Sequence, residues 1–194
     1  MQYGSGVTGK TGIWLLVIVG VILLGMPEEG CGQVYFTKKG HAEFDSSVPL
    51  HTFTGRSDQL VGKISLADST VDFYLDVHTI KTGISKRDKD MLETLEAEQH
   101  PFAEFFGKLT SPFDPDSASP QDVTVEGDFS VHGVTNHVSI DGTLQKSEEG
   151  LEVTASWTLN MENHDIEPPG ILFYRVSEEI PISISATLPP QSSN

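Results

Sequence analysis

The chain has a single cysteine, Cys31, in 194 residues, so no intramolecular disulfide can form and stability has to come from packing. Basic residues are scarce too. Lysine and arginine number 12 against 28 acidic residues, a formal net charge of −16, which repels a polyanion and removes nucleic acid from the candidate partners. Also absent are a GxSxG elbow, an HExxH pair, a zinc-knuckle spacing and any serine tied by motif to a histidine and an acid. Beyond position 31 there is no thiol to act as nucleophile. No apolar run is long enough to cross a bilayer. The longest, residues 13–24, spans about 18 Å as a helix, well short of a hydrocarbon core of roughly 30 Å.

That run does fit a secretory signal. Lys10 precedes it, and the small or turn-forming residues Gly25, Pro27, Gly30 and Gly32 follow, the order of charged, apolar and small-residue regions that export signals share. Cleavage after Gly32 is expected. This makes 1–32 the signal, 33–188 the functional domain and 189–194 a disordered tail, with the mature protein periplasmic or secreted. Cys31 leaves with the signal on this reading. The competing reading, a lipid anchor on Cys31, is opposed by Glu28 and Glu29, which stand where a lipoprotein signal carries small or apolar residues. With 37% hydrophobic residues, the chain can fill one core but is too short to suggest two.

Beyond position 32 the dominant pattern has a period of two. Val71, Phe73, Leu75 and Val77 alternate with Asp72, Tyr74, Asp76 and His78, the signature of a strand with one buried face. Val123, Val125, Phe129 and Val131 repeat it, with Gly127 on the apolar face marking an expected bend or bulge. Three further runs follow, led by Val138, Ile140 and Leu144, by Leu151, Val153, Ala155, Trp157 and Leu159, and by Ile180, Ile182, Ile184, Ala186 and Leu188. Weaker candidates cover 41–45, 52–57, 60–66 and 102–109. Short turns at 67–69, 131–133 and 147–150 join neighbouring runs at hairpin length, so neighbours pair antiparallel. In the second of these, Gly133 is expected to supply a positive φ.

One helix interrupts the pattern over 85–99. Ser85 and Asp88 have capping-box spacing, Met91 and Leu95 share a face, and His100-Pro101 stops it. Its single narrow apolar stripe suits a place over one end of a barrel. Residues 111–121, with Pro112, Pro115 and Pro120, read as an exposed loop.

The fold expected is therefore all-β, an antiparallel barrel of about eight strands with one short helix near one end. Such a barrel is either filled by its own side chains or holds one elongated guest. Because the inward face of every clear strand is apolar, a guest would have to be apolar as well. The candidate ligand-lining residues are Phe44, Phe53, Phe73, Leu75, Val77, Phe105, Val125, Phe129, Trp157, Leu159, Phe173, Ile182 and Ile184. Arg87 and Asp88, in the first turn of the helix, are candidates for the mouth and for a head group. The alternative is a solid-core structural or protein-interaction barrel. Seven histidines are scattered without metal-ligand spacing, so no metal is expected.

Several blocks resemble the YceI family of exported polyisoprenoid-binding proteins. They are Thr82-Gly83 with Arg87-Asp88-Lys89-Asp90-Met91, His100-Pro101 with Phe105, Gly127-Asp128-Phe129 leading into His132-Gly133-Val134-Thr135, and Asp165-Ile166 with Pro168. The opening 35–41 segment resembles the mature start of members from Bacteroidetes-type bacteria. The resemblance implies an extended lipocalin-like barrel that binds, carries or stores a prenyl lipid such as an isoprenoid quinone, with no other cofactor and no catalysis; transient membrane contact is compatible with such a role. Two departures stand out: Asp90 occupies the place of a histidine common before the Met91 position, and Asn163-His164-Asp165-Ile166 differs from the Phe-Gly-Ile form often found there.

Overall fold

The protein is described by a computed structural model over residues 33–48, 51–167 and 177–191. The chain divides between Cys31 and Gly32, and all described residues belong to the second unit. The expected signal segment, Cys31, Pro168 and Phe173 lie outside the described residues.

Eight strands run in chain order: β1 (Val34–Val48), β2 (His51–Ser65), β3 (Thr70–Asp76), β4 (Phe102–Leu109), β5 (Gln121–Val131), β6 (Val134–Lys146), β7 (Leu151–Asn160) and β8 (Glu179–Leu188). Each pairs antiparallel with the next, and β8 pairs back onto β1, which closes the barrel. The helix α1 (Ser85–Thr94) lies in the β3–β4 connection. At the same end lie the β5–β6 hairpin and the 3-10 turn Glu162–His164 that follows β7.

β1 and β2 are longer than the alternation suggests. The pieces expected at 52–57 and 60–66 are one strand of 15 residues, and β1, expected at 41–45, also has 15. Polar residues at Ser57, Asp58 and Gln59 break the period-two pattern, and Asp58 and Gln59 have no register partner, yet the strand continues past them. The strands bend at Gly40, where the β1–β2 register shifts twice. The shift works as a bulge that turns the strand while β2 stays its neighbour on both sides. Beyond Gly40, His41 to Phe44 pair with Ser185 to Ile182 of β8. Before it, the Phe36 N–H donates to the Pro189 carbonyl at 3.0 Å, and Gln191 donates to Val34 at 2.7 Å. Residues 189–191, expected to be disordered, therefore extend the barrel seam. The β1–β8 ladder stops at Ile182, and the next residue of β8, Pro181, has no N–H with which to continue one.

Two local expectations are corrected. Gly127 makes no bulge, since β5 keeps regular register with both neighbours. It sits opposite Gly107, and a Cβ there would run into the Phe106 carbonyl and the Gly107 backbone, so glycine is required for close strand approach. Nor does Ser85 form a capping box: Ile84 is the N-cap, without a side-chain bond. Asp88 instead reaches back to Thr82, accepting from its N–H at 2.8 Å and its hydroxyl at 2.6 Å.

The β5–β6 hairpin turns on two left-handed residues, His132 at φ 55° and Gly133 at φ 76°, the geometry that matches strand twist in two-residue loops. A Cβ on Gly133 would lie 2.6 Å from the His100 ring. Gly133→Ala is expected to cost about 2 kcal/mol and to lower the melting temperature by roughly 5 °C in a thermal scan.

Candidate functional site

The barrel is solid at one end and open at the other. At the end away from α1, Leu151 and Leu188 are paired across β7 and β8 with 0% exposure each, and Tyr35 and Ile64 pack beside them. Moving along the same strands toward α1, the inward residues Ala155, Trp157, Leu159, Ile182 and Ile184 are only half-buried. They face a cavity of about 860 Å³, toward the upper end of the range for sites that enclose a small molecule.

The cavity wall is built from aromatic residues in register. Phe73, Phe105 and Phe129 are direct cross-strand partners on β3, β4 and β5, and Phe129 meets Trp157 of β7 edge-on with ring centroids 5.6 Å apart. Nearer α1, Phe44 and Phe53 form a second edge-on pair at 6.2 Å. Leu75 and Val77 continue the wall toward α1, and Val125 continues it toward the packed end. Every candidate lining residue within the described portion of the chain therefore borders the cavity.

Glycines explain how so many large rings leave a lumen. Gly55 is the cross-strand partner of Phe44, and Gly62 that of Phe73. A Cβ at either glycine would collide with the partner's ring. The rings thus lie against the bare backbone of the neighbouring strand, along the wall instead of across the channel.

Among the described residues, those with charge at the cavity border are Glu43, Lys86, Arg87, Asp90 and Glu104, all on α1 or in strand segments toward it. The Arg87 guanidinium stacks on the Phe53 ring, 4.2 Å from its centroid. Asp88 does not border the cavity. Its bonds to the Thr82 hydroxyl, and next to the Thr82 N–H, hold its carboxyl below the usual range, which makes it a structural brace for the approach to α1. Trp157 Nε1 is the one buried side-chain polar atom without a hydrogen-bond partner among the described residues. The same residues contain no group of three or more His, Cys, Asp or Glu arranged to hold a metal.

The family model of the YceI-like domain matches residues 35–188, which spans all eight strands. The chain belongs to the YceI-like family. Solved structures agree on the fold of this YceI-like barrel. A polyisoprenoid binding domain from Saccharophagus degradans, described as implicated in plant cell wall breakdown, is 18% identical with a TM-score of 0.69 over 81% of this chain and 98% of that one. BcnA of Burkholderia cenocepacia is 13% identical with a TM-score of 0.63, covering 76% and 94%. The YceI protein of Campylobacter jejuni is 11% identical with a TM-score of 0.52, covering 94% and 100%. The search of curated proteins returned no significant match.

Both departures from the family pattern have a structural role in this YceI-like barrel. Asp90 accepts the Lys86 ammonium at 2.9 Å, one turn away on α1. Asp165 takes the left-handed conformation at φ 54°, which glycine adopts freely and aspartate tolerates. It closes the 3-10 turn and lets Ile166 drop into the cavity wall. His164 is 3% exposed. Its ring meets Phe129 edge-on at 5.6 Å, and its Nδ1–H donates to the Val134 carbonyl at 3.1 Å.

Burial pushes the His164 imidazole below its ordinary 6.5. Its neutral form is the one that fits, so this contribution to stability is complete above the ordinary value and is lost as pH falls below it toward the folded-state value. His41 works in the opposite sense, raised chiefly by its hydrogen bond to Asp58. Between about pH 7.5 and about pH 5.5, a His164→Gln variant is therefore expected to lose less melting temperature than wild type, the two being compared by thermal scans.

Sequence reasoning passed over Ile80, Ile84, Met161 and Ile166, all of which border the cavity. They lie in connections, where no period-two alternation marks a side chain as inward. The Asp165-Ile166 block that shares in the family resemblance was the one available signal, and it named the segment without its direction.

Proposed function

We propose that this YceI-like barrel is an exported carrier that holds a long apolar lipid of the polyisoprenoid class, such as a prenyl quinone, for transport or storage, and that it performs no chemistry on it. The observation that carries this reading is the apolar cavity of about 860 Å³, open toward α1 and sealed at the far end. A greasy, flexible chain suits it because the wall offers aromatic and aliphatic surface with almost no hydrogen-bonding groups along its depth. Burying about 600 Å² of a prenyl chain yields on the order of 15 kcal/mol gross, enough to leave useful affinity after the costs of association and ordering. The Saccharophagus domain of the same fold, named for polyisoprenoid binding, supports the class of ligand.

The cavity weighs against the solid-core alternative, because a barrel used only as a scaffold gains stability by filling such a void. Catalysis would require ionisable groups converging at depth, and those bordering the cavity gather toward α1. Organic extraction of the purified protein followed by mass spectrometry should release a prenyl lipid. If none is released and an added prenyl quinone does not bind, the carrier reading fails.

A further inference from the structure

We infer that the polar end of the bound lipid is an oxyanion of the phosphate-ester class and that Arg87 is the group that receives it. The inference rests on the carrier reading above and puts a phosphate-ester head where that reading names a quinone as an example.

Among the described residues Arg87 is one of two cations at the cavity border, and the other, Lys86, is held by Asp90. Among the described residues no carboxylate forms an ion pair with Arg87, although the chain has 28 acids for 12 bases. The described acids at this end of the barrel are engaged with other groups or stand without an ion pair to it. Glu43 accepts from Arg56 Nε at 3.1 Å and lies 3.5 Å from His41. Asp88 is bonded to Thr82 and feels the Arg87 charge without forming an ion pair with it, and Glu104, exposed at the cavity border on β4, forms none with it either.

Stacking on Phe53 uses the flat face of the guanidinium, and its edge, the fork of N–H donors, makes no hydrogen bond or ion pair with a described residue. That fork matches two oxygens of a phosphate at once, whereas a single neutral carbonyl or hydroxyl satisfies only part of it. The orientation is held from below. Phe53 meets Phe44 edge-on, and the Phe44 ring lies against the backbone of Gly55, so a line of contacts from the barrel wall presets the cation. A tail running down the cavity from Arg87 would place its head at the opening and its hydrocarbon against the aromatic wall. The net charge of −16 does not oppose this, because charges more than about 8 Å away are largely screened at physiological salt while a contact pair is not.

The test uses the full-length, delipidated protein and calorimetric titration with farnesyl phosphate and with farnesol, which share one tail. Wild type is expected to hold farnesyl phosphate at least about tenfold more tightly. Arg87→Gln should remove that preference while leaving farnesol affinity within about twofold, and Arg87→Lys should keep only part of it. Thermal scans check that both variants are folded. Equal affinities in wild type, or a preference that survives Arg87→Gln, overturn the inference and leave the carrier reading standing. Binding of neither compound overturns the inference, and extraction with the quinone titration then decides the carrier reading.

Discussion

Ala155→Trp is expected to reduce affinity for a prenyl lipid by at least about a hundredfold while leaving the barrel folded. Ala155 is a half-buried residue of β7 facing the cavity, between Gly142 of β6 and Ile184 of β8 in the ladder. An indole placed there projects into open volume, so the overpacking that usually penalises a small-to-large change in a core is largely avoided. The melting temperature of the lipid-free protein should stay within about 3 °C of wild type. Titration with a prenyl quinone and a thermal scan measure the two halves. Unchanged affinity in a folded variant would show that the lipid does not occupy this part of the channel.

Leu188→Ala should do the reverse. Leu188 is fully buried opposite Leu151 at the solid end, where removal leaves a void that tight neighbours cannot close. A loss of about 3 kcal/mol is expected, with a fall of roughly 9 °C in melting temperature and lipid affinity nearly retained. Ile184→Ala, on the cavity wall, should cost only about 1 kcal/mol without lipid, since its side chain already lacks neighbours on one side. Equal losses in the lipid-free protein would contradict the division into a packed end and an open end. Together the variants separate what stabilises the barrel from what holds its guest.

The alternation in β3, β5, β6, β7 and β8 was legible because a half-buried strand must place every second side chain in the core. The antiparallel order was legible from turns too short for anything else. The length of β1 and β2 was not, since the strands continue past a polar, bulged stretch that a periodicity argument reads as a break. Ser85 and Asp88 show the limit of local motifs: the capping spacing is present, yet Thr82 offers Asp88 two donors and wins. Gly127 carried a true signal with the wrong cause, because the need for glycine arises from Gly107 across the ladder, which only pairing reveals.

The same uncertainty governs the site. Inward apolar residues build a filled barrel and a hollow one equally well, so their pattern could name the wall without saying whether a space lies behind it. The sequence by itself determined the strands, their inward faces and the apolar character of whatever they enclose. Tertiary structure alone decided that the enclosure is hollow toward α1, by setting Gly55 against Phe44 and Gly62 against Phe73 so that the rings fold onto backbone. Side-chain parity is written along a single strand, whereas free volume depends on which residues of neighbouring strands come to lie face to face.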